Sequence, residues 1–272
     1  MEGYNWDTTV SASKYAVEID NLVKRFGGVP AVDGVSMKIP VGTICAVLGP
    51  NGAGKTTTIN MLATLLTPDG GTAKVFGLDA VRDAQRVRKM IGLTGQFATL
   101  DEGLTAMENL MIMGQLLGLS KREAGKRAED LLREFGLLEA GRRLVSKFSG
   151  GMRRRLDLAA SLIANPPLIF LDEPTTGLDP RTRQQMWETI RKLVRDGSTV
   201  LLTTQYLDEA DQLADNVIVF DKGKIVANGT PQELKNAIGA KTLDDVFFAL
   251  TEGEKKHAGG AEATHEAEGE VV

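Results

Sequence analysis

The stretch Gly49-Pro50-Asn51-Gly52-Ala53-Gly54-Lys55-Thr56 decides how the rest of this chain is read. It lies between the apolar run Thr43-Ile44-Cys45-Ala46-Val47-Leu48 and a helical pattern from Thr56 to Leu66 that Pro68 stops. Strand, glycine loop and helix in that order, with the spacing G-x-x-x-x-G-K-[ST], make an anion cradle. Glycines let the backbone curl until several N–H groups face one point, and the helix N-terminus adds partial positive charge there. Lys55 can bridge the β- and γ-phosphates of ATP, and the Thr56 hydroxyl can hold Mg²⁺. The expected nucleotide contacts are Gly49, Pro50, Asn51, Gly52, Ala53, Gly54, Lys55, Thr56 and Thr57.

The complement to this loop is Leu168-Ile169-Phe170-Leu171-Asp172-Glu173. An apolar strand that ends in a carboxylate places Asp172 beside the metal. Glu173, one residue on, can polarise the water that attacks the γ-phosphate. By itself the pair also suits two solvated acids at a strand end; beside the glycine loop it reads as a hydrolysis site.

Outward from these two stretches, residues 16–48 alternate short apolar segments with turn residues such as Gly27-Gly28 and Pro40, which reads as strands. Residues 82–94 suggest a helix and then a strand. Residues 97–165 carry long helical patterns (Ala106 to Leu117, Lys121 to Phe135, Arg153 to Ile163) and almost no strand signal, so an all-helical insert is expected there. Buried-strand patterns return at 168–171 and 199–203, separated by a helix from Arg181 to Arg195. Val217 to Phe220 and Ile225 to Ala227 flank a turn at Asp221-Lys222-Gly223-Lys224 and read as a hairpin, and a short helix starts at Pro231. The fold class is α/β with a mainly parallel sheet. Residues 1–14 read as a flexible arm, and the Ala-, Gly- and Glu-rich residues 251–272 as a disordered tail.

With 272 residues, 42% of them hydrophobic and 25% charged, the chain can bury a sizeable core. A net charge of −4 argues against nucleic acid as a partner. The lone Cys45 excludes an internal disulfide and, within an apolar run, reads as a buried thiol. No segment approaches the apolar length that spans a bilayer, and the polar N-terminus lacks a signal-peptide core. The expectation is a cytosolic protein that reaches a membrane only through a partner.

Phe148-Ser149-Gly150-Gly151-Met152, opening the helix that runs to Ile163, narrows the class. Ser149 and two glycines at a helix start form a second anion site. Arg153, Arg154 and Arg155 follow at once and oppose the helix dipole, which suggests an acidic group docked nearby or simply an exposed basic face. The stretch resembles the signature loop of ABC ATPases, and the resemblance covers about residues 15–250.

It implies a P-loop NTPase core with an N-terminal antiparallel β subdomain, a helical subdomain at about 97–165 and a C-terminal extension at about 229–250. It also implies that Gln96 touches Mg²⁺ together with Thr56 and Asp172, and that Asp179 in Gly177-Leu178-Asp179 crosses a dimer interface. Phe26 matches the aromatic that stacks on adenine, although a phenylalanine there equally suits a core. In the family two such domains pair head to tail, so that Ser149, Gly150, Gly151 and Met152 meet the ATP of the opposite subunit. A homodimer or a paired ATPase subunit is implied.

The family's usual histidine is replaced by Gln205 in Thr203-Thr204-Gln205-Tyr206, and the only histidines are His257 and His265. An amide donates an N–H to phosphate but carries no charge. Catalysis is then expected from Glu173, Lys55 and Gln205. Gln205, Met152 and the ending Leu243-Asp244-Asp245-Val246-Phe247-Phe248-Ala249-Leu250 are similar to the daunorubicin-resistance ATP-binding subfamily. That likeness implies export of drugs, antibiotics or lipids through a separate transmembrane permease, from the cytoplasmic face of the membrane. The alternatives are a soluble ABC-type ATPase acting on a non-membrane macromolecule, which the absence of a second ATPase unit or sustained heptads disfavours, and a nucleotide binder without turnover, which Glu173 disfavours.

Overall fold

The computed structural model describes residues 13–94 and 100–251. The chain opens with β1 (Tyr15–Phe26), β2 (Val29–Pro40) and β3 (Ile44–Leu48), then α1 (Lys55–Leu62), β4 (Gly70–Val75), β5 (Leu78–Asp79), α2 (Ala84–Arg88) and β6 (Ile91–Thr94). Three helices follow, α3 (Ala106–Leu116), α4 (Lys121–Glu134) and α5 (Gly150–Ser161). The remainder is β7 (Leu168–Asp172), α6 (Pro180–Arg195), β8 (Thr199–Thr203), α7 (Leu207–Leu213), β9 (Asn216–Asp221), β10 (Lys224–Gly229), α8 (Pro231–Ile238) and α9 (Leu243–Thr251).

Two sheets form. One is antiparallel with the order β2-β1-β4-β5; the other has the order β10-β9-β3-β8-β7-β6 and is parallel except for the edge strand β10. Strands β3 and β8 are buried along their whole length, as expected of a parallel sheet covered on both faces. Their side chains divide with period two. Ile44, Ala46 and Leu48 join a core shared with the helices, whereas Cys45 and Val47 join a second core against the antiparallel sheet. Burial pushes the Cys45 thiol up to about 12, so it packs as a small apolar group.

Helix starts follow local chemistry. Thr105 with Glu108, Ser120 with Glu123 and Thr230 with Glu233 each close a reciprocal capping box. Helix α1 ends at Leu62, short of the Leu66 expected from Pro68, because Thr64 adopts a left-handed φ of 63° that breaks the repeat. Helix α5 begins at Gly150, three residues before the expected Arg153, because Ser149 supplies the cap: its Oγ accepts from Met152 N at 3.3 Å. Thr251 closes α9, one residue into the stretch expected to be disordered. Among the described residues no helix is long and apolar enough to cross a membrane.

Candidate functional site

Strand order assembles the site. β8 lies between β3 and β7, with Val47 opposite Thr203 and Thr203 opposite Asp172. The C-terminal ends of three parallel neighbours therefore bring together the glycine loop after β3, Gln205 after β8, and the Asp172-Glu173 pair at the end of β7. Ligands of open α/β sheets bind at that edge. A cavity of about 250 Å³ opens there, lined by Leu48, Gly49, Pro50, Asn51, Thr204, Gln205, Leu207 and Phe247.

Two loop glycines are required by geometry. Gly49 has φ 152°, and a Cβ on it would stand 2.5 Å from the Phe220 carbonyl oxygen; Gly54 has φ 103°, and a Cβ there would stand 2.5 Å from that of Ala31. Neither position admits a side chain without moving backbone. The turn between β9 and β10 braces the loop from outside: Gly223 N donates to Ala53 O at 3.0 Å, and Asp33 N donates to Gly223 O at 2.9 Å. Lys55 folds back over the loop, its Nζ donating to Gly49 O at 2.7 Å and to Pro50 O at 3.0 Å. Burial lowers the pKa of this ammonium, partly offset by the charges of Glu173 and Asp172. Thr56, in the first turn of α1, is exposed and Thr57 half-buried.

The acidic pair is tightly held. Thr203 Oγ1 donates to Asp172 Oδ1 at 2.5 Å. Glu173 takes two donors: Gln205 Nε2 at 2.5 Å on Oε1, and Thr176 Oγ1 at 3.2 Å on Oε2. Gln205 was expected to serve a phosphate, but here one of its amide hydrogens goes to Glu173. The second hydrogen on the same nitrogen keeps the phosphate role open. Glu173 has a left-handed backbone, φ 47°, at a cost of about 1–2 kcal/mol for a residue with a Cβ. Its N–H, donating to Thr203 O at 3.0 Å, is one of the bonds that hold it there.

Of the two readings of the three arginines, a docked acid holds for Arg153 and the exposed basic face does not hold. They begin one turn into α5, and all three are half-buried and partnered. Arg153 Nη1 pairs with Glu102 at 2.6 Å and its Nη2 donates to Ser146 O. Arg155 donates to the carbonyls of Phe135 and Gly151. Arg154 donates to the carbonyls of Asp172, Glu173 and Pro174. Arg153 thus meets an acid distant in sequence, while Arg154 and Arg155 are held mainly by backbone carbonyls.

Ser149 and Gly150 are exposed at the head of α5, and Gly151 and Met152 are half-buried behind them. Asp179 caps α6, accepting from Thr182 N at 3.0 Å and Thr182 Oγ1 at 2.6 Å; these bonds hold its carboxyl below the usual range. Phe26 is 52% exposed at the end of β1, with the Lys24 ammonium 5.7 Å from its ring centroid, so it is not a core residue. Gln96 lies outside the described residues, as do His257 and His265.

Sequence reasoning missed the support beneath Gln205. Glu209, on α7, is fully buried and accepts from Trp187 Nε1 at 3.0 Å. Burial pushes its pKa up, against the hydroxyls of Thr204 and Thr175 and the Trp187 N–H. Its backbone N–H donates to Tyr206 O at 3.1 Å while its carboxyl meets Trp187, so the acid joins the turn after Gln205 to α6. An acid four residues beyond Gln205, with a tryptophan on the preceding helix, gave no local sign of burial.

A family profile described as ABC transporter matches residues 32–176. The chain is 57% identical over 228 residues to the daunorubicin/doxorubicin resistance ATP-binding protein DrrA of Streptomyces peucetius, covering 84% of this chain and 69% of that one. It superposes on the ATP-binding subunit of an ABC transporter with a TM-score of 0.79 at 28% identity, covering 86% and 99% of the two chains. It also superposes on a dimeric ATP-binding cassette in a post-hydrolysis state bound to ADP and phosphate, with a TM-score of 0.72 at 27% identity, covering 79% and 98%.

Proposed function

The chain belongs to the ABC transporter family and is an ATP-binding, ATP-hydrolysing subunit of an exporter; from that premise we propose that it drives a separate membrane permease expelling hydrophobic drugs, antibiotics or lipids. The observation that carries the reading is the meeting of Lys55, Asp172, Glu173 and Gln205 at one sheet edge, with a second glycine-headed helix start, Ser149, on another part of the chain. Two copies, or one copy and a related subunit, pair head to tail so that each ATP lies between the Lys55 loop of one and the Ser149 helix of the other. The dimeric cassette with ADP and phosphate supports that arrangement.

Within each site the loop from Gly49 to Thr57 cradles the phosphates through its N–H groups, Pro50 having none, and Lys55 spans the β- and γ-groups. Phe26, exposed at the end of β1, offers its face to adenine. Glu173, oriented by Gln205 and Thr176, accepts a proton from the attacking water. Asp172 and Thr56, with Gln96, would hold Mg²⁺. Among the described residues no three His, Cys, Asp or Glu form an all-protein cage, which suits an ion that keeps water and phosphate ligands. Bound there, the ion supplies charge to the transferring phosphate. Asp179 lies at the dimer interface, and its bonds to Thr182 hold the loop in shape for it.

The subunit works at the cytoplasmic face of the membrane, held by the permease. Ile112, Leu116 and Leu117, exposed at the end of α3 and just beyond it, give that partner an apolar surface. Recovered in mild detergent, the tagged chain is expected to bring down a multi-spanning membrane protein, and ATP hydrolysis by the complex to rise with the exported compound. Recovery with ribosomes or DNA in the soluble fraction would sink the proposal. Because Gln205 does not titrate, the rate is also expected to lack a histidine-type inflection between about pH 6 and 7. A steady-state pH profile at saturating ATP checks this.

A further inference from the structure

We propose that Arg154 is the positioning residue for the water-activating Glu173, an inference that rests on the ATPase reading above and adds to it a residue on the signature helix. Where β7 ends, three successive carbonyls, those of Asp172, Glu173 and Pro174, converge on one guanidinium. Arg154 Nη2 donates to Asp172 O and, at 2.8 Å, to Glu173 O, while its Nε lies 3.4 Å from Pro174 O. Carbonyls at a strand end and in the turn beyond it need partners. A planar fork with several fixed donors meets this demand; an ammonium does so less well. The fork is itself braced by Asp157, one turn along the same helix and almost fully buried, 3.7 Å from Nη1.

The bonded turn is the one that needs holding. Glu173 sits at φ 47°, a conformation a side-chain-bearing residue leaves unless its surroundings over-determine it. Thr203 O holds its N–H from one side and Arg154 holds its C=O from the other. Released by Arg154, the peptide relaxes, and the carboxylate swings out of the reach of Gln205 and Thr176. ATP contacts on the Lys55 loop involve none of these atoms, so binding survives while turnover falls.

The test is kinetic and uses the full-length ATPase. Arg154→Gln is expected to lower kcat at least tenfold, with the ATP KM and the Kd of a fluorescent ATP analogue within about twofold of wild type and little change in melting temperature. Arg154→Lys is expected to recover part of the loss, and it keeps the test readable should the glutamine variant fold poorly. A residue acting through Glu173 adds nothing once Glu173 is disabled, so Glu173→Gln with Arg154→Gln is expected to match Glu173→Gln alone. An unchanged kcat overturns the proposal, and so does a kcat loss that tracks weakened ATP binding and a fallen melting temperature, or losses that compound in the double variant. If Glu173→Gln itself turns over ATP normally, the ATPase reading of the acidic pair has failed, a result distinguishable from failure of Arg154 alone.

Discussion

Lys55→Ala abolishes ATP turnover and weakens ATP binding by roughly 10²-fold, the scale of about 3 kcal/mol for removing one partner of a desolvated charge pair. The side chain has two tasks in the structure. Its ammonium closes the loop by donating to Gly49 O and Pro50 O, and it is the cation set among the loop N–H groups and the Asp172-Glu173 pair. Alanine removes both. The loop glycines persist, so residual affinity from backbone N–H groups remains and the loss is large rather than total. Titration with a fluorescent ATP analogue, alongside phosphate release, checks the result. Turnover near wild type would mean that the phosphates bind elsewhere.

Glu173→Gln gives the opposite split: ATP binds as in the wild type, and hydrolysis falls by about 10²–10⁴-fold, the contribution of a positioned general base. The site tolerates the exchange sterically. The new amide oxygen can accept from Gln205 Nε2 where Oε1 does so now, and the new amide nitrogen faces Thr176 Oγ1, which can accept. Only the capacity to take a proton is lost. Single-turnover phosphate release, with nucleotide affinity and melting temperature measured on the same sample, separates this from misfolding. Turnover within a fewfold of wild type would transfer the base role to another group.

Much of this arrangement was legible because motif and element coincide. The glycine loop sits between a fully apolar strand and a helix, and the Asp172-Glu173 pair ends another such strand, so both motifs predicted their own surroundings. Elements stabilised from a distance were not legible. Strand β4, Gly70-Gly71-Thr72-Ala73-Lys74-Val75, has little strand propensity and exists because it pairs with β1. The short α7 was hidden in a stretch read only for its glutamine. Arg153 to Arg155 looked unfavourable at a helix start because their partners, Glu102, Phe135 O and the Asp172–Pro174 carbonyls, are far off in sequence. Local charge patterns register the arginines and cannot register a carbonyl that tertiary structure delivers.

The placement of β8 between β3 and β7 also bears on how the protein is made. Synthesis produces the glycine loop first and the acidic pair much later, yet the strand that must lie between them emerges last of the three. A nascent chain holding both motifs but lacking residues 199–203 has no sheet on which to bring them together, and these long-range pairings are the slow ones to form. Nucleotide then recognises the finished sheet and no earlier species, so cellular ATP stabilises the completed fold by mass action without rescuing partly built chains.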